Sequence, residues 1–315
     1  MNSQLFDSVV RKLEEAKDKE GNIVNIYSIK ISQGCDVYKH IFKNKQRIYN
    51  IRSISKPVLG MALGIAMGEG LEIKGQRLTV ETNIWPFFET IVNLTNTDNL
   101  AKLRKVKLKH LLTHTMGYDT GFLFVKEVRS RDEYSLLDYI FNRDIIYEPG
   151  QHFVYTNVGP YLISAMIHEE LGENYSDFVN RKLFQKLDIR DYEWTNYGKY
   201  CAGATGLKLS IDDLHKIGII WKQNGKFNGI QVVPKSWIEQ MKTPKVTVPA
   251  RSINQRILPM DDYGYYLWLC NDGNYFCYGT DGQYVVVSPE KDMVISILSD
   301  QIDMTPITEC VSELL

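Results

Sequence analysis

The stretch that decides the fold is RSISKPVLGMALGIAMG, residues 52–68. Ser53 and Lys56 stand three positions apart at its start, and residues three apart share one face of a helix, so the hydroxyl and the amine can meet. Pro57 is tolerated only in the first helical turn, where backbone N–H groups lack intrahelical partners, so a helix is predicted to begin close to Ser53. That helix end would favour an oxyanion. The pattern indicates a nucleophilic serine; the alternative is a capping serine followed by a solvated lysine.

A second polar motif lies in EPGQHFVYTNVGPYL, residues 148–162. Tyr155 could take a proton from a serine if a neighbouring ammonium lowered its pKa from about 10. Asn157 adds an amide donor and acceptor suited to holding the lysine and a substrate oxygen. The alternative is a core tyrosine followed by an asparagine that caps the next helix.

A third motif lies in FCYGTDGQYVVVSPEKDMVISIL, residues 276–298, which we interpret as a strand with Gly279 and Gly282 in its interior. Glycine in a strand often marks a place where a ligand or another backbone comes close. An edge strand here would line a cleft and direct the backbone N–H of Thr280 at a developing oxyanion, opposite the N–H of Ser53. A bulge that curves the sheet is the alternative.

Strand patterns occur at both ends of the chain and helix patterns occupy most of the middle. The strand patterns are residues 23–32, 35–42, 274–288 and 292–299. The helix patterns are an N-terminal helix, residues 157–172, 175–187 and 210–225, and a last helix near 305–315. This order predicts an α+β fold with one antiparallel sheet, built from the N- and C-terminal segments and covered by helices, plus an inserted helical subdomain.

We therefore expect a single catalytic domain over residues 1–315 with a cleft between two subdomains. The predicted sheet subdomain covers about residues 1–70 and 200–315, and the helical subdomain about 71–199. Lys plus Arg number 37 against 38 Asp plus Glu. That balance provides no field that would gather nucleic acid or a membrane surface, so a small molecule is the expected partner. The oligomeric state stays open.

The location is expected to be the cytoplasm. The N-terminal segment has the spacing of a helix and not the apolar run of a signal peptide. The longest apolar stretch, residues 57–68, is shorter than the roughly 20 residues of a spanning helix. The five cysteines are odd in number and form no CxxC pair, so neither a disulfide framework nor a zinc site is indicated.

SISK, then YTN, then the glycine-bearing segment near the C-terminus resemble, in order and spacing, the superfamily of penicillin-binding proteins and class C β-lactamases. Further similar stretches are HLLTHTMGYD at 110–119, EPG at 148–150, ATGLKLSIDDL at 204–214, YGYYLW at 263–268 and GQYVVVSPEKDMV at 282–294. The resemblance runs from about Tyr49 to Ser299. It implies a β-lactamase/transpeptidase-like fold and a serine hydrolase that needs no metal or organic cofactor.

Carried onto this chain, the resemblance implies a role for each matching residue. Ser53 would be the nucleophile, Lys56 its proton-handling partner, Tyr155 the general base and then acid, and Asn157 the orienting amide. Which of Lys56 and Tyr155 takes the first proton stays open, because the two would titrate together. His114 lies outside the family's catalytic set and is expected to be structural.

The third motif departs from the family pattern. β-Lactamases of this branch carry Lys-Thr-Gly there, and we align that triplet with Cys277, Tyr278 and Gly279, or in another register with a triplet that starts at Tyr278. Neither register supplies the lysine, so a substrate carboxylate would lose a contact of about 1.5–3 kcal/mol. We expect an esterase or amidase that acts on a small, largely uncharged substrate. A β-lactamase or D,D-peptidase is the first alternative, and a non-catalytic binding module the second.

Overall fold

The computed structural model describes residues 1–249 and 259–315. The helices of the described residues are α1 (Ser3–Glu15), α2 (Ser55–Gly68), α3 (Leu100–Leu103), α4 (Leu108–Leu112), α5 (Val125–Val128), α6 (Leu136–Asn142), α7 (Val158–Leu171), α8 (Tyr175–Val179), α9 (Ile211–Lys222), α10 (Lys235–Met241) and α11 (Thr305–Ser312). A 3₁₀ turn, Arg52–Ile54, directly precedes α2.

The strands of the described residues form one large sheet and several small ones. They are β1 (Ile26–Gln33), β2 (Asp36–Ile41), β3 (Tyr49–Asn50), β4 (Glu72–Ile73), β5 (Gln76–Arg77), β6 (Glu193–Trp194), β7 (Asn196–Tyr197), β8 (Tyr200–Cys201), β9 (Leu207–Leu209), β10 (Lys226–Phe227), β11 (Ile230–Gln231), β12 (Val246–Thr247), β13 (Asp262–Tyr263), β14 (Trp268–Leu269), β15 (Tyr275–Tyr278), β16 (Tyr284–Ser288) and β17 (Met293–Ser299). The large sheet has the order β12-β13-β14-β15-β16-β17-β1-β2 and is antiparallel throughout.

The sheet joins the two ends of the chain, as the strand patterns predict. β1 pairs with β17, for example Ile29 with Ile297, and α9 packs on β1, β16 and β17. A Cβ on Gly218 of α9 would lie 2.4 Å from Cγ1 of Val294, so only glycine permits this close approach. The α+β fold with an antiparallel sheet is confirmed, while the subdomain boundaries stay a prediction.

Helix α2 is buried from its first residue almost to its last, as its apolar sequence predicts. It packs against α8 and α10. The indole Nε1 of Trp237 donates to the carbonyl of Gly60 (2.9 Å), and a Cβ on Gly64 would lie 2.1 Å from the same indole. The helix begins at Ser55, two residues after Ser53, which confirms the expected start. These contacts fix the start of α2 within the fold.

Several sequence-predicted elements are confirmed. They are the N-terminal strand pair β1–β2 and the helices α1, α7, α9 and α11. Ser210 caps α9, since its Oγ accepts from the N–H of Asp213 at 3.1 Å. The helix predicted over 175–187 is partly wrong. It is α-helical only to Val179 and continues as a π-helical turn, Asn180–Phe184, and a 3₁₀ turn, Gln185–Leu187.

The prediction of one strand with both glycines in its interior is wrong. β15 ends at Tyr278, and Gly279–Gln283 forms the turn to β16, closed by the Gly279 N–H to the Gln283 carbonyl (2.8 Å). Gly282 has φ +83°, which favours glycine and fits a turn. β15 is also not an edge strand, although its pairing with β14 reaches only to Phe276. Cys277 and Tyr278 therefore extend past the end of the pairing with β14.

Among the described residues, no helix is both long enough and apolar enough to cross a membrane.

Candidate active site

Ser53 and Lys56 meet as the sequence predicts. The ammonium nitrogen of Lys56 lies 3.1 Å from Ser53 Oγ, 2.9 Å from Asn157 Oδ1 and 3.2 Å from the carbonyl oxygen of Ala204. No side chain caps α2, whose N-cap residue is Ile54. The alternative of a capping serine with a solvated lysine is therefore wrong, because Ser53 Oγ contacts an amine that is completely buried.

Burial changes the acid–base behaviour of Lys56. Loss of water around the ammonium lowers its pKa from 10.5 to about 7, while the nearby Cys277 acts in the opposite direction. Three oxygen acceptors lie within hydrogen-bonding distance of the nitrogen, and these contacts stabilise the protonated amine against the cost of its burial. An amine with a pKa near neutrality can both accept and return a proton at physiological pH.

Asn157 stands at the N-cap position of α7 but makes no capping bond with its side chain. Its Oδ1 accepts from Lys56, and its Nδ2 donates to the carbonyl of Leu123 at 3.1 Å. The capping alternative is therefore right about the position of Asn157 and wrong about a capping bond from its side chain. The side chain joins the loop before α5 to the buried amine.

Tyr155 lies against the same amine. The Lys56 nitrogen is 4.7 Å from the centre of the Tyr155 ring, and Trp268 stacks on that ring with 5.5 Å between centroids. Tyr278 stacks in turn on Trp268 at 6.0 Å. Trp268 and Tyr278 therefore belong to an aromatic wall behind Tyr155, whereas Tyr266 is fully buried and donates to the carbonyl of Leu111.

His114 supports Tyr155 from the protein interior. Its ring centroid is 4.6 Å from that of Tyr155, and its Nε2 lies 3.2 Å from the Tyr263 hydroxyl. Burial holds its pKa well below 6.5, and the charge of Lys56 adds to that effect. The contacts of His114 are thus with aromatic side chains around the site, and its structural role stays a prediction.

The third motif reaches the nucleophile through its backbone. A Cβ on Gly279 would lie 2.7 Å from Cβ of Arg52 and 3.0 Å from the carbonyl of Ile51, so glycine is required where the two turns touch. The Cys277 thiol is buried and points to the carbonyl oxygen of Ser53 at 3.7 Å. Close backbone approach, the reason given for a glycine at this point, is confirmed at Gly279.

A cleft of about 330 Å³ opens in front of Ser53. The residues that line it are Arg52, Ser53, Phe124, Val125, Lys126, Tyr155, Asn157, Thr205, Thr280 and Asp281. Four of the sequence-predicted site residues are among them: Ser53, Tyr155, Asn157 and Thr280. Lys56 lies buried beneath them, and Cys277, Tyr278 and Gly279 are not part of this lining.

Sequence reasoning missed several contributors to the cleft. The Ala204 carbonyl accepts from Lys56, and no residue type signals a backbone acceptor. Phe124, which is 42% exposed, stands at the mouth of the cleft. Arg52 and Asp281 form an ion pair across it, 2.6 Å between Nε and Oδ2. In the sequence, Arg52 stands beside the first motif and Asp281 within the third, but their pairing depends on a tertiary contact between two turns.

The arrangement suits acyl transfer. A hydroxyl contacts an amine that can take its proton, and an amide orients that amine. Ser53 and Thr280 both line the cleft, so the two residues whose backbone N–H groups are the predicted oxyanion donors share one site. Two such donors can stabilise an oxyanion.

Comparison with known proteins identifies the family and the fold. A family model described as Beta-lactamase matches residues 43–303. The solved octameric penicillin-binding protein homologue from Pyrococcus abyssi superposes with a TM-score of 0.68 at 21% identity, covering 98% of this chain and 77% of that one.

Two further solved structures are similar along nearly their whole length. EstCE1, a hydrolase with promiscuous acyltransferase activity, gives a TM-score of 0.73 at 15% identity and covers 98% of this chain and 100% of that one. A D-stereospecific amidohydrolase from Streptomyces gives 0.68 at 16% identity, with 95% and 94% covered. At these identities the likeness shows the fold.

Proposed function

Since the chain belongs to the Beta-lactamase family of hydrolases, which its residues 43–303 match, we propose that it hydrolyses a small ester or amide through an acyl-enzyme on Ser53. The observation that carries the proposal is the buried contact of Lys56 with both Ser53 Oγ (3.1 Å) and Asn157 Oδ1 (2.9 Å). A buried amine held against a hydroxyl is the feature expected of an activated nucleophile.

In the proposed first half-reaction, Ser53 Oγ attacks the substrate carbonyl carbon and its proton passes to the Lys56–Tyr155 pair. The negative charge that develops on the carbonyl oxygen is stabilised by the N–H groups of Ser53 and Thr280. The tetrahedral intermediate then expels the alcohol or amine, which takes up the proton. The ester that remains links the acyl group to Ser53.

In the second half-reaction a water molecule attacks the acyl carbon and gives its proton to the same pair. A second tetrahedral intermediate collapses, which releases the carboxylic acid and returns the proton to Ser53 Oγ. Both half-reactions thus use the same proton-transfer pair, and Ser53 Oγ attacks in the first and leaves in the second.

The walls of the cleft suggest the substrate class. Its volume of about 330 Å³ lies at the small end of ligand sites, and Phe124 and Val125 give one wall an apolar surface. Behind the lining, the strand that leads to the Thr280 turn carries Cys277, Tyr278 and Gly279, where the family's β-lactamases carry a lysine, so neither register of the third motif supplies a cation for a substrate carboxylate. A small neutral acyl group fits these features better than an anionic β-lactam.

A hydrolysis screen tests the proposal. Wild-type protein and Ser53→Ala are assayed in parallel with p-nitrophenyl acetate, p-nitrophenyl butyrate, a D-amino-acid p-nitroanilide and nitrocefin. We expect wild-type turnover of an ester or the anilide, faster than of nitrocefin, and none by the variant. Faster hydrolysis of nitrocefin would replace the proposal by a β-lactamase, and no turnover of any substrate would favour a binding module.

A further inference from the structure

An ion pair joins two turns that border the cleft. Arg52 belongs to the turn Arg52–Ile54, which carries Ser53, and Asp281 belongs to the turn between β15 and β16, which carries Thr280. Nε of Arg52 lies 2.6 Å from Oδ2 of Asp281, and the two side chains are 33% and 18% exposed. Each member of the pair is the immediate chain neighbour of one proposed oxyanion donor.

Both ends of the ion pair are fixed to the fold. Arg52 has φ +52°, a strained conformation for a residue with a side chain, and its carbonyl accepts from Ser55 Oγ at 2.6 Å. The Asp281 carbonyl accepts from the N–H of Gln301 at 2.9 Å and from Ser299 Oγ at 2.8 Å. The ion pair therefore connects two anchored turns and not two mobile side chains on a surface.

The turns also touch through their backbones. Gly279 leaves no room for a Cβ, which would lie 2.7 Å from Cβ of Arg52. This contact and that of the Cys277 thiol with the Ser53 carbonyl (3.7 Å) set how closely the segments approach, but neither involves Thr280 or its neighbour Asp281. The ion pair, two residues beyond Gly279, opposes sliding of that part of the turn. Oxyanion donors act only when they lie within hydrogen-bonding distance of the developing charge, so a small slide would misplace them.

We propose that Arg52 and Asp281 are a positioning pair that holds the N–H groups of Ser53 and Thr280 at the spacing needed to bind the oxyanion. The proposal rests on the proposed acyl-enzyme function of Ser53. It assigns to the pair neither contact with the reacting atoms nor recognition of substrate charge.

The test is a double-mutant cycle with Arg52→Gln, Asp281→Asn and both together, assayed on whichever neutral ester the wild type hydrolyses best. Loss of one oxyanion donor costs about 10²–10³-fold in kcat, and a misplaced donor should cost part of that. We expect each single variant to lose about 10- to 30-fold in kcat with KM changed by less than about threefold. The double variant should be hardly worse than either single one, because both break the same contact.

Inhibition by a neutral boronic acid, which forms a tetrahedral adduct on a nucleophilic serine, provides a readout that a merely structural role would not move. We expect the variants to bind the boronic acid more weakly, in proportion to their loss in kcat/KM. Arg52→Lys keeps the charge and should restore most of the activity. Arg47→Gln breaks an Arg–Asp ion pair with Asp191 that lies outside the cleft lining, so it is the matched control and should leave turnover unchanged.

Unchanged kcat and unchanged boronic acid inhibition in a folded Arg52→Gln or Asp281→Asn protein would overturn the positioning role. An effect confined to KM would also overturn it, because that would indicate direct substrate binding. If Arg52→Gln fails to fold, Asp281→Asn decides the matter alone. Ser53→Ala separates the two proposals: retained turnover by that variant contradicts the proposed function itself, whatever the ion-pair variants do.

Discussion

The turn that carries Ser53 and the hairpin turn at residues 279–283 face the same cleft but differ in what they offer a substrate. At the first, a buried amine contacts the hydroxyl and an amide. At the second, the glycine that permits close approach is present, while the neighbouring side chain is a buried thiol, Cys277. The groups proposed for acyl transfer are therefore present at the first turn, whereas the second lacks the lysine that would bind an anionic substrate.

The two sides also differ in charge. Desolvation lowers the pKa of Lys56 to about 7, so this group can change its protonation state near neutral pH. Desolvation raises the pKa of the Cys277 thiol to about 12, with the charge of Lys56 opposing that shift, so the thiol stays neutral. The nucleophile side supplies a titrating group, whereas the hairpin side supplies backbone N–H groups and shape.

The largest effect is expected from Ser53→Ala. It should abolish turnover and leave the fold intact, because Ser53 Oγ contacts Lys56 and caps no helix. The measurement is hydrolysis together with thermal unfolding. A folded variant that hydrolyses the substrate at the wild-type rate would show that Ser53 is not the nucleophile, and the turn that carries it would then have no chemical role that the hairpin turn lacks.

Lys56→Ala and Tyr155→Phe should each lower the acylation rate by several decades. The Lys56 nitrogen lies 4.7 Å from the Tyr155 ring centre, and residues that act as one proton-transfer unit give non-additive losses. The double variant should therefore be hardly worse than either single one in pre-steady-state acylation. Losses that multiply would show that one of the two roles is wrongly assigned.

The pH dependence should follow Lys56. If Lys56 and not Tyr155 takes the first proton, the amine must be neutral, so kcat/KM should fall about tenfold per pH unit below its pKa of about 7 and level off above neutrality. The unfolded chain, with a lysine pKa near 10.5, binds more protons between pH 7 and 10.5. Wild-type stability should therefore rise with pH in that window relative to Lys56→Met.

Both parts of this prediction are checked by a pH–rate profile and by urea unfolding at several pH values. A profile with no inflection between pH 5.5 and 8.5 would show that Lys56 does not titrate in the reaction. Equal pH dependence of unfolding in wild type and Lys56→Met would show that its pKa is not lowered.

The smallest effect is expected from introducing a cation into the hairpin. Cys277→Lys should improve kcat/KM for nitrocefin relative to p-nitrophenyl butyrate by about tenfold, the scale of one charge-assisted hydrogen bond. Tyr278→Lys should do less, because alternate strand residues point to opposite faces and Tyr278 stacks on Trp268.

Cys277→Met is the matched control for side-chain size, since it adds length at this buried position without charge. An equal change with Met would show that space and not charge is responsible. A larger gain from Tyr278→Lys than from Cys277→Lys would show that the other register of the third motif is right.

The sequence predicted the nucleophile side well and the hairpin side less well, for a physical reason. Ser53 and Lys56 are three residues apart on one helix start, so local geometry alone brings them together. The second motif had only to bring one polar side chain to Lys56, and Asn157 makes that contact. The β-branched and aromatic residues on both sides of the third motif predict a continuous strand, but the chain turns there, with Gly282 at φ +83°.

The missed residues depend on tertiary contacts that no local pattern encodes. The Ala204 carbonyl reaches Lys56 from a loop 148 positions away, and Arg52 meets Asp281 only because Gly279 lets two turns touch. The short sheets among the helices, such as β7–β8, likewise carry too few residues for a strand pattern to show.

The proposed acyl-enzyme can be observed directly by mass spectrometry of protein trapped with a fluorophosphonate probe and, separately, with a slow ester substrate. We expect one adduct per chain, located on Ser53 by peptide mapping, of the mass of the phosphonyl or acyl group, and absent from Ser53→Ala. Protein that turns over substrate yet forms no adduct at Ser53, or forms it on another residue, would show that Ser53 is not the nucleophile.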